Sequence, residues 1–129
     1  MFLKVEQTMI DIKNYNNKNV FAKIIRGEIP SDKIYEDDNV LAFKDINPQA
    51  PTHILIIPKN EHCSLDDFLE NAGDEKILKF FKILKKIINS QNLTDGYRLI
   101  TNVGSFGGQE VPHLHFHILS GKNLGKLVP

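Results

Sequence analysis

One short segment near the end of the chain alternates strictly between two kinds of side chain. Residues 113–120 read HLHFHILS, so three of the five histidines stand at every second position. In an extended strand, successive side chains point to opposite faces. The segment therefore predicts a β-strand with His113, His115 and His117 on one face and apolar side chains on the other.

The size and composition of the chain predict one folded domain. It has 129 residues, of which 41% are hydrophobic and 25% are charged, as in ordinary globular proteins. Sixteen basic residues balance sixteen acidic ones, so no net field attracts a polyanion. We therefore expect neither nucleic acid nor a membrane as a partner, and the apolar runs are too short to span a bilayer.

The cysteine content and the N-terminal stretch bear on the compartment and on the domain boundary. Cys63 is the only cysteine and has no partner for a disulfide, which favours a reducing, cytoplasmic setting. Lys4 and Glu6 interrupt any apolar run of signal-peptide length. We expect residues 1–19 to form a flexible arm and residues 20–129 to form the domain.

Apolar residues at helical spacing predict two helices. A short helix is expected around Phe21 and Ile24 and is closed by Gly27. One long amphipathic helix is expected to begin after Ser64, which resembles a capping box with Asp67. The apolar face of this helix is formed by Ile77, Phe80, Phe81, Leu84, Ile87 and Ile88.

Strand-forming segments alternate with turn signals along the rest of the chain. KIYED and NVLAFKD indicate a β-hairpin, and HILIIP indicates a strand that is buried on both faces. GYRLITN and HLHFHILS follow the long helix and are separated by the glycine-rich segment GSFGGQEVP. This order predicts an α+β domain built on an antiparallel sheet.

The histidine face has two interpretations besides phosphate chemistry. It could be a solvated polar face, although histidine is an uncommon choice for one. It could also bind a metal, because imidazole is the commonest metal ligand. With a strand rise of ~3.3 Å per residue, the Cα atoms of His113 and His117 lie roughly 13 Å apart, so one ion could hardly take all three. A set such as His53, His115 and His117 could still bind zinc.

The glycine-rich loop before the histidines favours phosphate chemistry over these alternatives. Gly104, Gly107 and Gly108 permit close approach of backbone amides to an anion, although an ordinary connection between strands also uses glycine. Imidazole has an ordinary pKa of ~6.5, and neighbouring imidazoles disfavour one another's charge. One histidine can then attack phosphorus while another protonates the leaving group, as cleavage of a P–N bond requires.

HLHFHIL fits the His-φ-His-φ-His-φ-φ signature of the histidine triad superfamily. From about Val20 to Gly121, including DINPQAPTH and the GGQ loop, the chain resembles the histidine triad nucleotide-binding branch. The resemblance implies the histidine triad fold and hydrolysis of purine nucleoside phosphoramidates through a nucleotidyl-histidine intermediate. It also implies that no metal or cofactor is required, and that two subunits join through the long helix and a strand.

The resemblance further implies roles for individual residues. His115 would be the nucleophile, His117 would contact the phosphate, and His113 and His53 would complete the histidine network. Asp45 would accept hydrogen bonds from the ribose hydroxyls. The other implied nucleotide contacts are Asn102, Gly108, Gln109 and Glu110 at the phosphate and leaving group, and Phe21, Ile24, Ile29, Phe43 and Ile46 at the purine.

Two departures from the family pattern leave the leaving group open. Glu110 stands where animal members carry a serine, and a carboxylate there would repel phosphate unless it is protonated or turned away. The tail KNLGKLVP contains no tryptophan, which some members use to shape the leaving-group pocket. Hydrolysis of dinucleoside polyphosphates and nucleotide binding with a regulatory role are the alternative functions.

Overall fold

The computed structural model describes residues 9–128, and every structural statement below concerns that part of the chain. Its elements follow in the order helix, three strands, two helices and two strands. Their bounds are α1 Val20–Ile25, β1 Lys33–Glu36, β2 Val40–Lys44, β3 Thr52–Pro58, α2 Leu65–Asn71, α3 Asp74–Ser90, β4 Arg98–Ile100 and β5 Phe116–Ser120.

The strands form one antiparallel sheet in the order β1-β2-β3-β5-β4. β3 lies at its centre and is buried almost throughout, as the continuous apolar run HILIIP predicts. In the pairing of β3 with β5, Ile54 lies opposite Ile118 and Leu55 lies opposite His117. The predicted α+β fold with an antiparallel sheet is confirmed.

Apolar side chains pack on both faces of this sheet. On one face α2 and α3 bury Phe68, Phe80 and Ile87 against the sheet residues Ile54 and Ile118. The opposite face, which we call the α1 face, carries a second cluster formed by Phe21, Ile24, Leu41, Phe43, Leu55 and Ile57. Because Leu55 lies opposite His117, the alternation of β5 directs the histidine side chains to the α1 face.

The long amphipathic helix is α3 alone, and its predicted start after Ser64 is wrong. Gly73 has a φ of 87°, a left-handed conformation that interrupts the helix and separates α2 from α3. The predicted capping box is also absent from α2, because the Ser64 hydroxyl makes no cap hydrogen bond. The Asp67 carboxylate instead accepts a hydrogen bond from the Cys63 N–H at 2.7 Å.

The last strand is shorter than its sequence pattern predicts. β5 begins at Phe116, and the chain bends over residues 111–113, where the His113 N–H donates to the Val111 carbonyl. Leu114 nevertheless belongs to the same helix-side cluster as Phe116. The alternation of histidine and apolar side chains therefore survives although three of the eight residues of the segment lie outside the ladder. No helix within residues 9–128 is long and apolar enough to cross a membrane.

Candidate active site

A cavity of about 550 Å³ opens on the α1 face of the sheet. Segments that are far apart in the sequence form its wall: α1, the end of β2, the glycine-rich loop and the histidine segment. A larger hollow of about 680 Å³ lies elsewhere, between the end of α3 and β4, and no histidine lines it. The predicted site residues that line the 550 Å³ cavity are Phe21, Ile24, Ile29, Phe43, Asp45, Ile46, Asn102, Gly108, Glu110, His115 and His117.

The apolar end of the cavity is a slot between aromatic and aliphatic side chains. Phe21 and Phe43 meet edge to face with ring centroids 5.8 Å apart, and both are buried. Phe21 also contacts the His115 ring at 4.8 Å between centroids. Ile46 lies at the rim and is 96% exposed. A flat, apolar ligand can therefore be bound against Phe21 and Phe43 while remaining close to the histidines.

The hydrogen bonds of His115 fix the position of its proton. Its Nδ1 lies 2.7 Å from the His113 carbonyl oxygen, which can only accept, so Nδ1 carries the hydrogen. Nε2 of the neutral ring then keeps a free lone pair. Burial lowers the pKa of His115, and this effect outweighs the His113 carbonyl and the negative charges of Asp45 and Glu110, which raise it. His115 is therefore a neutral imidazole and a competent nucleophile near pH 7.

His53 and His117 form a second hydrogen-bonded unit beside His115. The Gln49 N–H donates to Nδ1 of His53 at 3.0 Å, so the hydrogen of His53 is on Nε2. That Nε2–H donates to Nδ1 of His117 at 2.9 Å, which places the hydrogen of His117 on its own Nε2. His117 lines the cavity and so offers an N–H donor to an anionic ligand.

Burial keeps these two rings neutral as well. It lowers the pKa of His117 to about 4, assisted by the neighbouring His115 and His53 and opposed by Asp45. Burial also lowers the pKa of His53, again opposed by Asp45. Oδ2 of Asp45 lies 3.4 Å from Nε2 of His53, and its Oδ1 accepts from the Asn47 N–H at 2.8 Å. Asp45 thus keeps acceptor capacity at the cavity wall for hydroxyl groups.

His113 lies behind the cavity rather than in its wall. The ring is fully buried, and burial lowers its pKa to about 4. Its Nε2–H donates to the Pro58 carbonyl at 2.8 Å, and its Nδ1 accepts from the Tyr15 hydroxyl at 2.6 Å. Tyr15 belongs to the expected flexible arm, and no local sequence signal singles it out as part of the site.

The glycine-rich loop uses several of its backbone amides for hydrogen bonds within the loop. The amides of Gly108 and Gln109 donate to carbonyls within the loop, and the amide of Gly104 donates to the Gln109 side chain. Gln109 itself is buried outside the cavity wall, with its side-chain amide donating to the Cys63 and Val111 carbonyls. The side chain and amide of Gln109 therefore hold the loop in shape instead of facing a phosphate.

Asn102 and Glu110 border the cavity beside this loop. The Asn102 side-chain amide donates to the Gly107 carbonyl at 2.7 Å, which ties the strand end to the loop. Glu110 is exposed, so its carboxylate is hydrated. Its negative charge makes the surroundings of the cavity less favourable for an anionic leaving group than a serine would.

A metal would have to displace the hydrogen bonds of this network. Asp45, His53 and His117 each bring a ligand atom within 4.8 Å of the others, a different set from the one considered from the sequence. A ligand nitrogen must present a lone pair, but Nε2 of His53 carries the hydrogen and Nδ1 of His117 accepts it. These hydrogen bonds orient His117, and an ion bound by the trio would have to take the place of the hydrogen shared by His53 and His117.

Known proteins resemble this chain over most of its length. Residues 26–124 match the family described as the HIT domain. The purine nucleoside phosphoramidase of Escherichia coli K12 is 49% identical over 111 residues, which cover 84% of this chain and 92% of that protein. An uncharacterized HIT-like protein of Rickettsia prowazekii is 50% identical over 115 residues, which cover 88% and 96% respectively.

Solved structures give the same result. A histidine triad protein from Clostridium difficile has a TM-score of 0.76 at 45% identity, over 88% of this chain and 98% of that one. A HIT family hydrolase from Legionella pneumophila has a TM-score of 0.75 at 45% identity, over 81% and 94%. Fold, histidine network and relatives together define a hydrolase. The chain belongs to the HIT domain family.

Proposed function

We propose that this protein hydrolyses purine nucleoside 5′-phosphoramidates to an amine and a nucleoside monophosphate. One observation carries the proposal: the His113 carbonyl holds the hydrogen of His115 on Nδ1 and leaves Nε2 free as the nucleophile. The 49% identity to a purine nucleoside phosphoramidase supports the choice of substrate. The apolar slot beside Phe21 would hold the purine, and Asp45 would accept from the ribose hydroxyls.

The reaction follows in two displacements at phosphorus. In the first, the Nε2 lone pair of His115 forms a bond to phosphorus, and the P–N bond breaks toward the amine, which takes up a proton. In the second, water attacks phosphorus and loses a proton, and the bond to Nε2 breaks, restoring the neutral ring. A nucleotidyl-His115 intermediate links the two steps, which divides one difficult displacement into two easier ones.

His117 is the proposed donor of the proton that the amine takes up. Burial keeps the ring neutral, but an anionic phosphate beside its Nε2 would favour the charged imidazolium. Substrate binding itself would thus raise the pKa of His117 and favour its protonation before the amine leaves. In the neutral ring, the hydrogen bond from His53 to Nδ1 directs Nε2 toward the cavity. Charging His117 adds a hydrogen at Nδ1, which would replace this hydrogen bond by attraction to the Asp45 carboxylate.

The alternative substrate, a dinucleoside polyphosphate, differs in its leaving group. A departing nucleotide is anionic, and the Glu110 carboxylate at the cavity edge would repel it, whereas an amine would not be repelled. We therefore expect kcat/KM to be higher for adenosine 5′-phosphoramidate than for a diadenosine polyphosphate. A regulatory nucleotide-binding protein would instead bind AMP with negligible turnover of either substrate.

The test is hydrolysis of both substrates by the wild type, His115→Ala and His62→Ala. His62 is a matched control, because its ring contacts Asp67 and Phe68 on the helix side of the sheet rather than the cavity. We expect His115→Ala to lose at least about 10³-fold in kcat, as when other covalent nucleophiles are removed, and His62→Ala to retain activity. Full activity in His115→Ala would refute the proposed reaction.

We also propose that the protein works as a homodimer in the cytoplasm. β4 is an edge strand that pairs with β5 on one side, and Tyr97 and Leu99 beside or within it are 44% and 40% exposed. Edge strands with exposed apolar residues are ready templates for pairing with another chain. The single buried, unpaired Cys63 is consistent with a reducing compartment.

A further inference from the structure

The segment that precedes α1 contacts the glycine-rich loop of the active site. We call residues 10–17 the N-terminal brace. The Ile10 N–H donates to the Ser105 hydroxyl at 2.8 Å, and Ile12 packs against Gly104, where an added Cβ would meet its Cδ1 at 3.7 Å. Arg26, at the end of α1, donates to the Asn17 carbonyl at 2.8 Å. The brace therefore spans from the glycine-rich loop to α1 along the site.

Tyr15 is the residue of the brace that reaches the histidines. Its hydroxyl lies 2.6 Å from Nδ1 of His113, and the two rings meet edge to face at 5.6 Å. Because the Nε2–H of His113 donates to the Pro58 carbonyl, Nδ1 is an acceptor and the tyrosine donates. Burial raises the pKa of Tyr15, so the hydroxyl keeps the proton that it donates.

The backbone of His113 transmits this contact to the nucleophile. The His113 ring is fully buried and is held at both nitrogens, by Pro58 on one side and by Tyr15 on the other. The carbonyl of the same residue accepts the Nδ1–H of His115 at 2.7 Å. Movement of His113 would therefore move the acceptor that fixes both the tautomer and the orientation of the His115 ring.

We propose that Tyr15 is a positioning residue for the active site, acting on the His115 nucleophile through His113. The brace is then part of the catalytic apparatus although it lies outside the helices and strands. The kinetic part of this inference rests on the proposed function, because it requires a reaction in which His115 attacks. The structural part, that Tyr15 holds His113 and His115 in place, does not.

The experiment uses the full chain and removes one oxygen atom. Tyr15→Phe keeps the ring against His113 and deletes the donor, and Tyr35→Phe makes the same change in β1, where the tyrosine hydroxyl donates to Asp37 on the helix side of the sheet. Steady-state hydrolysis of adenosine 5′-phosphoramidate separates kcat from KM. Long-range ¹H–¹⁵N NMR spectra of the histidine rings report the hydrogen bonding and tautomer of His113 and His115 directly.

We expect Tyr15→Phe to lower kcat between about threefold and tenfold at unchanged KM, the effect of one lost hydrogen bond on orientation. The Nδ1 resonance of His113 should move downfield as it loses its donor, and the His115 resonances should move with it. Tyr35→Phe should change neither readout.

Two results would overturn the inference while the proposed function stands. One is an unchanged kcat in Tyr15→Phe with an active wild type, and the other is an unchanged His113 Nδ1 resonance. If the wild type itself does not turn over, the proposed function fails. The inference is then decided by the spectra, and is overturned if the His113 and His115 resonances of Tyr15→Phe coincide with those of the wild type.

Discussion

At the scale of the residue, the chemistry of each histidine is determined by what its ring nitrogens contact. The His113 carbonyl holds the hydrogen of His115 on Nδ1, so its Nε2 is free. A backbone N–H holds the hydrogen of His53 on Nε2, and that hydrogen is donated to Nδ1 of His117, so the hydrogen of His117 is on Nε2. The alternating sequence predicts that the histidines share a face, and they do. It contains no information on tautomers, because these depend on the acceptor and donor atoms that the folded backbone presents.

The buried, neutral state of His113 should make the stability of the fold depend on pH. Its pKa is about 4 in the folded protein and ~6.5 in an unfolded chain, so between these values the unfolded state binds more protons. The free energy of unfolding should therefore fall as pH drops from 6.5 toward 4, by up to about 1.4 kcal/mol per pH unit for this group. Above pH 7 His113 is neutral in both states, so its titration no longer changes the free energy of unfolding.

Denaturant titrations from pH 7.5 to pH 5 measure this dependence. Wild type and His113→Gln should differ in slope, with a shallower loss of stability in the variant because one depressed histidine is missing. The absolute stability of His113→Gln is expected to be lower, but only the slope bears on the titration. Equal slopes in the two proteins would contradict the assignment of a depressed pKa to His113.

At the scale of the element, sequence patterns identified the long regular segments better than their ends. The continuous apolar run of β3 is typical of a buried strand, and the periodic apolar face of α3 is typical of a helix, so the sequence predicts both. The break at Gly73 was not, because glycine is tolerated within a helical pattern and its positive φ is chosen by the chain around it. The Asp67 carboxylate could accept a hydrogen bond from either of two neighbouring backbone amides, and in the folded chain it accepts from that of Cys63.

The glycine-rich loop depends on one buried side chain for its shape. Gln109 accepts from the Gly104 N–H and donates to the Cys63 and Val111 carbonyls. Gln109→Ala leaves the Gly104 N–H and the Cys63 carbonyl without this partner and removes one of two donors to the Val111 carbonyl, so we expect a loss of about 2–4 kcal/mol in the free energy of unfolding. Chemical denaturation measures it, and kcat should fall as well, since the loop adjoins the histidines.

Gln91→Ala is the matched control for this change. Gln91 lies at the end of α3 and lines the 680 Å³ hollow rather than the active-site cavity, and its amide contacts the Ser90 hydroxyl at 3.2 Å. A surface substitution of this kind should stay within about 0.5 kcal/mol of the wild type. A Gln109→Ala protein as stable as Gln91→Ala would show that the loop does not need the glutamine.

At the scale of the whole molecule, the site exists because distant segments meet on one face of the sheet. α1, the end of β2, the glycine-rich loop and β5 contribute to one cavity, and the brace adds Tyr15 from behind. Most of the predicted cavity residues came from a family resemblance rather than from local patterns. Tyr15 was missed because a hydrogen bond across 98 residues has no local signature.

The edge of the sheet is the feature that should determine the oligomeric state. If β4 pairs with its counterpart in a second chain, Leu99→Lys should place a charge at the junction and separate the subunits. Light scattering after gel filtration should give about twice 14.7 kDa for the wild type and 14.7 kDa for the variant. Ile46→Lys, at the exposed rim of the cavity, should remain dimeric, and a monomeric wild type would contradict the proposed assembly.

The most direct test of the central claim is to capture the intermediate on His115. Wild type, mixed in excess with adenosine 5′-phosphoramidate and quenched within a single turnover, should yield a peptide containing residues 113–117 with one added adenylyl group located on His115 by mass spectrometry. His115→Ala should yield neither the adduct nor the amine. Turnover by the wild type without an adduct, or with the adenylyl group on His113 or His117, would contradict the account.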